Sequence, residues 1–553
     1  MLPLRLRSRL GLAAGGVLSL VLLAPLLGPG FVLVRDMVFV PRLPLTGRLL
    51  GLDGVPRAVP SDLLVALASR LVPGGWLQDL VLVAIVAGAA WGAARLAPAA
   101  SPAAALAAAT AYGWSAYLHE RLLLGQWALL VGWAVLPWAA RAALDWRRGE
   151  PGWRAVACLA VAACGGASAL LVVALVVVVC GRPLRAAAAV LVLALPWAVP
   201  SLLSPGGLPG GDPAGVAAFA ARADTPLGLL PSLLTGGGVW APAAVPPGRA
   251  AGSLAALLVL LVAAVGLPRL RRLLGARLLV AATAGLGLAL LGRLPGLSGL
   301  LRLAVEHLPA AGLLRDGQKW VAPVVLLGSA AFACGVDVLR EGLPRPRVRR
   351  AAGVLAVLAP LAALPAAAWG EGGRLVVSSY PADWATVMAR ADAGPVLVLP
   401  WGAYRAYPWN GDRTVLDPAP RLLRPRAVVD DDLPLSTGSV RGEDPLADRL
   451  DVAASSGRPL LGALQVEGVA AVLVQRTTRG ADPDVLERQV AGLEPVVETG
   501  ELALYAVPGG GRPAGRGPVL PAVLAHLAAL ALGLVSAVQG LRPAVRGSYW
   551  PTS

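Results

Sequence analysis

Arg154-Ala-Val-Ala-Cys158-Leu-Ala-Val-Ala-Ala-Cys164-Gly165-Gly166-Ala167-Ser168-Ala-Leu-Leu-Val-Val-Ala-Leu-Val-Val-Val-Val-Cys180-Gly181 is the stretch that decides the fold. Its apolar run is long enough for one membrane helix of about 20 residues, or for two short segments broken at Gly165-Gly166-Ala167-Ser168. Read as one span, it places Arg182 and Arg185 outside, followed by Arg269, Arg271, Arg272, Arg345, Arg347, Arg349 and Arg350. Read as a hairpin, it returns every one of these to the cytoplasmic side, where short basic loops belong. Gly-broken segments are tolerated where protein covers the freed backbone groups. The hairpin is therefore the reading adopted.

Composition agrees with a membrane protein. The 553 residues are 57% hydrophobic and 14% charged, with a mean hydropathy of +0.69, against about 25% charged in a typical soluble domain. The net charge of +16 does not indicate nucleic-acid binding, because the arginines sit in short clusters between apolar runs. They set topology and meet anionic lipid. Against this arginine-rich background Lys319 is the one lysine of the chain. Cys158, Cys164, Cys180 and Cys334 lie inside apolar runs and read as small buried hydrophobes. His119, His307 and His526 share no metal-ligand spacing.

Outward from the hairpin, spans are expected near residues 9–34, 76–96 and 101–118, with a fourth returning to Asp145. Further spans fall near 186–203, 251–267, 278–292, 321–339, 351–368 and 518–538. That makes about twelve membrane segments with both termini cytoplasmic. The first run resembles a signal peptide, but its length and the lack of a cleavage site make it a retained helix. The first outer loop, 35–75, carries a helix start at Pro60-Ser61-Asp62 and an amphipathic stretch, Leu63 to Leu71, suited to the outer interface. The transmembrane part covers 1–369, and 516–553 holds the last helix and a cytoplasmic tail. Between them, 370–515 is expected to be an extracytoplasmic α/β domain, with strands at Arg374–Ser378, Pro395–Leu399, Ala470–Gln475 and Leu502–Val507 and helices near 382–391 and 483–492.

With cytoplasmic loops this short, chemistry belongs to the outer face. Four charged groups reach that face from distant parts of the chain: Asp36, His119-Glu120-Arg121, Arg222/Asp224 and Arg315-Asp316/Lys319. Carboxylates beside cations suit group transfer from an anionic lipid, one carboxylate removing the acceptor proton and Arg or Lys stabilising the leaving phosphate. Each has a plainer reading. Asp36 can mark the water boundary, Glu120–Arg121 a rim ion pair, Arg222–Asp224 a loop pair, and Lys319 a side chain reaching from a helix end. Trp401 and Tyr404, in the aromatic segment 399–410, offer either a sugar-stacking platform or a domain core. Trp240, His119 and Asp224 are further candidate acceptor or sugar contacts. Asp430-Asp431-Asp432 reads as a solvated turn rather than a metal loop.

These residues resemble a family. An Asp directly after the first helix, in the first extracytoplasmic loop, is similar to the signature of GT-C superfamily membrane glycosyltransferases. So are the amphipathic helix in that loop, the short paired helices at 154–181 and the C-terminal outer domain. Tyr117 to Trp127, with its Glu-Arg-Leu-Leu-x-Gly-Gln-Trp pattern, and Arg315-Asp316-Gly317-Gln318-Lys319 resemble segments of actinobacterial GT-C-like proteins, including arabinofuranosyl- and mannosyltransferases. The resemblance implies a polyprenyl-phosphate sugar donor, a cell-envelope glycan or protein acceptor, and a multi-pass protein of the cell membrane. It implies Asp36 as general base, with Lys319, Arg315 or Arg121 on the donor phosphate. Asp36 lies between Arg35 and Met37 with no adjacent acid. A divalent metal is therefore disfavoured, and Glu120 is the nearest candidate second carboxylate. The rival readings are a transporter or flippase for a lipid-linked intermediate, marked by ionisable residues at mid-membrane, and a non-catalytic envelope scaffold.

Overall fold

The computed structural model describes residues 1–203, 211–308, 310–391, 394–435, 438–511 and 518–542. Helices occupy each of the twelve places at which membrane segments are expected. The first is α1 (Leu4–Leu23), followed by the short outer helix α2 (Ser61–Ala68), then α3 (Gly74–Leu96) and α4 (Pro102–Gly113). A short buried helix, α5 (Ala116–Leu123), leads into α6 (Trp127–Arg147), α7 (Trp153–Cys164), α8 (Ala167–Cys180) and α9 (Pro183–Leu203). There follow α10 (Ser253–Leu274), α11 (Arg277–Leu290), α12 (Leu297–His307), α13 (Ala322–Glu341) and α14 (Pro346–Ala362), and the last helix is α15 (Val519–Leu541). Among the described residues, seven helical stretches are long and apolar enough to cross a membrane, and α7, α8 and α11 are shorter apolar helices. The chain is a polytopic helical membrane protein with a C-terminal α/β domain.

The hairpin at 154–181 forms as two helices, both packed on α6. Gly166 makes the break with φ 84°. A Cβ on Gly165 would fall 2.1 Å from the carbonyl oxygen of Ala128, so α6 and the hairpin meet backbone to backbone. Small residues do the same elsewhere, as membrane helices require in the absence of a hydrophobic drive between them. Gly11 and Gly15 of α1 lie against Ala94 and Ala87 of α3, and Gly266 of α10 faces Gly335 of α13. Asp337, near the end of α13, accepts hydrogen bonds from Ala100 N (2.6 Å) and Ser101 Oγ (2.6 Å), pinning the α3–α4 turn.

The α/β domain is built on a five-stranded sheet in the order β10-β11-β9-β3-β6. Its strands are β3 (Val396–Leu399), β6 (Ala427–Val428), β9 (Ala471–Gln475), β10 (Glu494–Glu498) and β11 (Leu502–Ala506). β3 runs parallel to β6 and β9, while β11 is antiparallel to β9 and β10. Successive strand residues alternate between two cores. Leu397, Leu399, Val472 and Val474 face the helices at 445–466. Val396, Val398, Leu473 and Leu504 meet Trp384, Tyr407 and, from the first outer loop, Leu33, Val38, Val40, Leu43 and Leu49.

That second core departs from expectation. The first outer loop contributes to one of the domain's two cores rather than being a separate connector. The strand expected at Arg374–Ser378 shrinks to β2 (Val377–Ser378), which pairs with β1 (Phe31–Val32) instead of joining the main sheet. The helix at Ser61 also starts differently. Ser61 Oγ donates to the carbonyl of Ala58 (3.0 Å) and caps nothing, and Asp62 accepts from Arg421 of the α/β domain (3.5 Å).

Candidate active site

Asp36 sits at the tip of a tight turn. Met37 N donates to Val34 O (2.8 Å) and Val34 N to Met37 O (3.3 Å), with Arg35 at φ 41°. Two neighbours clamp the turn. On the membrane side Asp36 N donates to Leu124 O (3.1 Å). Gly125 (φ 77°) comes so close that a Cβ there would lie 2.2 Å from Met37 N. On the other side Arg35 N donates to Thr414 O (2.7 Å) and Leu416 N to Arg35 O (2.8 Å). The turn is thus stitched to β5 (Thr414–Leu416), whose antiparallel partner is β4 (Tyr404–Ala406).

This places the Asp36 carboxylate between two donors. Tyr404 Oη donates to Oδ1 at 2.7 Å, and Gln126 Nε2 to Oδ2 at 3.3 Å. Burial pushes the Asp36 pKa above the usual carboxylate value, and these two hydrogen bonds, which favour the ionised form, partly oppose it.

Asp36 faces a cavity of about 670 Å³. Around it stand Gln126, the α7–α8 break (Gly165–Ser168), Phe219 and Trp240, the segment from Leu313 to Lys319, and Tyr404 with Leu433–Leu435 from the α/β domain. Most charges on this wall are matched. Arg57 pairs with Asp431, Arg421 with Asp62, and Asp316 with Arg121 at 2.6 Å. Arg315 and Lys319 differ. Arg315 lies over the Phe219 ring (5.1 Å), and Lys319, 3% exposed, donates to Ser168 Oγ (3.2 Å). Among the described residues neither is in an ion pair. Arg35 lines the cavity too, likewise without an ion pair among the described residues, but its guanidinium donates to the carbonyls of Leu123 and Ala243. Arg315 and Lys319 are the cations left for an anionic ligand beside the Asp36 carboxylate.

Other sequence candidates lie elsewhere. Arg121, expected at the donor phosphate, is fully buried, and its donors are taken by Asp316, Gln318 Oε1 (2.6 Å) and Gln126 Oε1 (2.6 Å). It therefore holds the amide that holds Asp36. Glu120, expected as a second carboxylate, points away from the cavity and accepts from Val239 N (3.1 Å) and Gln318 Nε2 (3.0 Å). Burial and the neighbouring Asp224 raise its pKa well above the usual range. Asp224 moves the other way: burial works to raise it, but Glu120 and Arg249 together bring it below its usual value. Both fasten the loop before Trp240, Gly238 N donating to Asp224 (3.1 Å) and Val239 N to Glu120.

His119 is also buried, with Nδ1 2.6 Å from Glu371 Oε1. Glu371 belongs to a left-handed turn, Trp369 to Gly372 (φ 53°, 64°, 58°, 65°), that joins the membrane part to the α/β domain. Trp401 donates to Asp451 (2.9 Å) and packs on the opposite face of the sheet. Asp431 and Asp432 accept backbone N–H groups of Gly442, Glu443 and Asp444, as a structural turn does. Sequence reasoning assigned no role to Gln126, Asp316 or Ser168. The first two lie inside the quoted motifs, and Ser168 lies in the glycine break, so proximity to known candidates was the available signal. Among the described residues no three His, Cys, Asp or Glu side chains form a metal-ligand set.

No family model matches the sequence, and no curated protein matches it. Solved structures do. The chain is similar to the arabinofuranosyltransferase AftD from Mycobacteria, with a TM-score of 0.59 at 18% identity over 92% of this chain and 40% of that one. The chain shares the fold of that structure. A mutant form of AftD gives a TM-score of 0.53 at 17% identity, covering 92% of this chain and 42% of the other. At such identities the likeness concerns the fold, and this chain spans about two-fifths of the length of its neighbours.

Proposed function

We propose that the chain is a membrane glycosyltransferase that moves a sugar from a polyprenyl-phosphate donor to a cell-envelope glycan or protein at the extracytoplasmic face. The observation that carries this reading is the single cavity bringing Asp36 together with the unmatched Arg315 and Lys319. In the proposed step Asp36 accepts the proton of the acceptor hydroxyl while that oxygen bonds the anomeric carbon from the face opposite the phosphate. The bond from the anomeric carbon to the phosphate oxygen breaks, and the electron pair leaves with the phosphate, whose charge Lys319 and Arg315 meet. Arg121 and Gln126 orient Asp36 rather than touch substrate, and Tyr404 and Trp240 are the aromatic residues available to a sugar. The orientation that fits has both termini in the cytoplasm and the α/β domain outside.

The reading is tested in cells by profiling envelope glycans after Asp36→Asn and Lys319→Ala. Loss of the same glycan species in both variants, with protein levels unchanged, is expected. Wild-type profiles in both would leave a scaffold as the better account.

A further inference from the structure

One edge of the apolar face of an amphipathic helix has no partner among the described residues. α12 follows α11 after residues 291–296 and is succeeded by the segment that carries Leu313, Arg315 and Lys319 to the cavity. At 100° per residue, Leu303, Leu300, Leu297, Leu301 and Val305 form one arc, interrupted between Leu303 and Leu300 by the exposed His307, with Ser298, Arg302 and Glu306 on the opposite side. Only one edge of the arc is covered. Leu301 and Val305 pack on Val216 with Leu291 and Leu314 beside them, and Val305 O accepts from Gly211 N (2.8 Å). The other edge is bare: Leu300 is 64% and Leu303 57% exposed, continued by Leu294, Leu297 and Leu308.

We propose that this bare leucine edge of α12 is seated in the outer leaflet of the bilayer, with Arg293 and Arg302 among anionic head groups. Three observations favour lipid over a protein partner. An eleven-residue helix bearing Arg302, Glu306 and His307 is too short and too polar to span, yet amphipathic enough to lie in an interface. It is joined to the membrane helix α11 by residues 291–296 and to α13 by residues 308–321, which keeps it near the membrane surface. Arg293 and Arg302 are exposed, and among the described residues neither makes an ion pair, which complements an anionic surface. The consequence reaches the cavity. Because the chain runs from α12 through Leu313 to Arg315, seating α12 fixes Arg315 near head-group depth, where a lipid phosphate lies. The inference goes beyond the catalytic reading and does not depend on it.

The test is spin-label depth measurement on the full chain with its four cysteines replaced by alanine, reconstituted in vesicles of phosphatidylcholine and phosphatidylglycerol. Single labels go at Leu300→Cys, Leu303→Cys and Arg302→Cys, the first two at exposed positions where folding is unaffected. Labels at 300 and 303 are expected to relax several-fold more with oxygen than with a water-soluble nickel chelate, and the label at 302 the reverse. Water-like accessibility at all three overturns the proposal. So does shielding of 300 and 303 from both reagents, which would indicate a protein partner or second copy instead. Circular dichroism and monodispersity of each variant guard against misfolding.

Discussion

Asp36 is the residue on which the proposed chemistry rests, and its surroundings make its behaviour testable. Burial raises its pKa, while the Tyr404 and Gln126 hydrogen bonds hold the ionised form within reach. Tyr404→Phe removes one of those bonds, so the pKa rises further. Because the base acts when ionised, the acid limb of the pH–rate profile should move to higher pH, with a rate loss of about tenfold on that limb, as for a hydrogen bond to a charged group. The same shift fixes a stability effect. A carboxyl whose folded pKa is raised stabilises the fold at low pH, and that contribution is lost as pH rises through the folded value. Asp36→Asn, which cannot ionise, should therefore unfold at a higher temperature than wild type at pH 7, while inactive. Arg121→Met makes the opposite case. It leaves Asp316 partly buried without its cation, and breaking such a pair costs about 3–5 kcal/mol, measurable as a lower melting temperature in detergent. At this scale the sequence was half legible. It showed that Glu120 and Arg121 are charged beside an outer loop, but not that α5 is buried on every side, which turns both away from the cavity.

At the scale of elements, the α7–α8 hairpin was legible because charge asymmetry of the flanking loops selects between one span and two. The seat of the first outer loop was not. Its backbone pairings with the α/β domain are two-residue strands and an isolated bridge between Arg35 and Val415, too short to carry any alternation. Ser61 shows the same limit, since a helix-start residue beside Pro60 found a local carbonyl before a free N–H. The element that most directly supports Asp36 is the α5–α6 turn. Gly125→Ala meets both a left-handed φ and backbone 2.2 Å away, so the turn must move. A displacement of about 1 Å at the base is worth about a hundredfold in rate. The expected outcome is a folded protein with that loss in kcat, checked by turnover alongside thermal stability.

At the scale of the whole molecule, the cavity exists only because distant segments converge: the first outer loop, the α5–α6 turn, the hairpin break, the segment before α13, and the α/β domain. The topology read from the sequence brought most of these to one face. The sequence pointed to both Trp401 and Tyr404 as sugar contacts but could not separate them, because no pattern shows which side of a sheet a domain turns toward the membrane. The central claim is that this shared cavity transfers a sugar. It is tested most directly by incubating the purified, reconstituted protein with a panel of polyprenyl-phosphate sugars and following release of polyprenyl phosphate. The account predicts release from at least one donor, lowered at least about a hundredfold by Lys319→Ala and abolished by Asp36→Asn. Release by the Asp36→Asn protein at the wild-type rate, or from no donor in the panel, would contradict it.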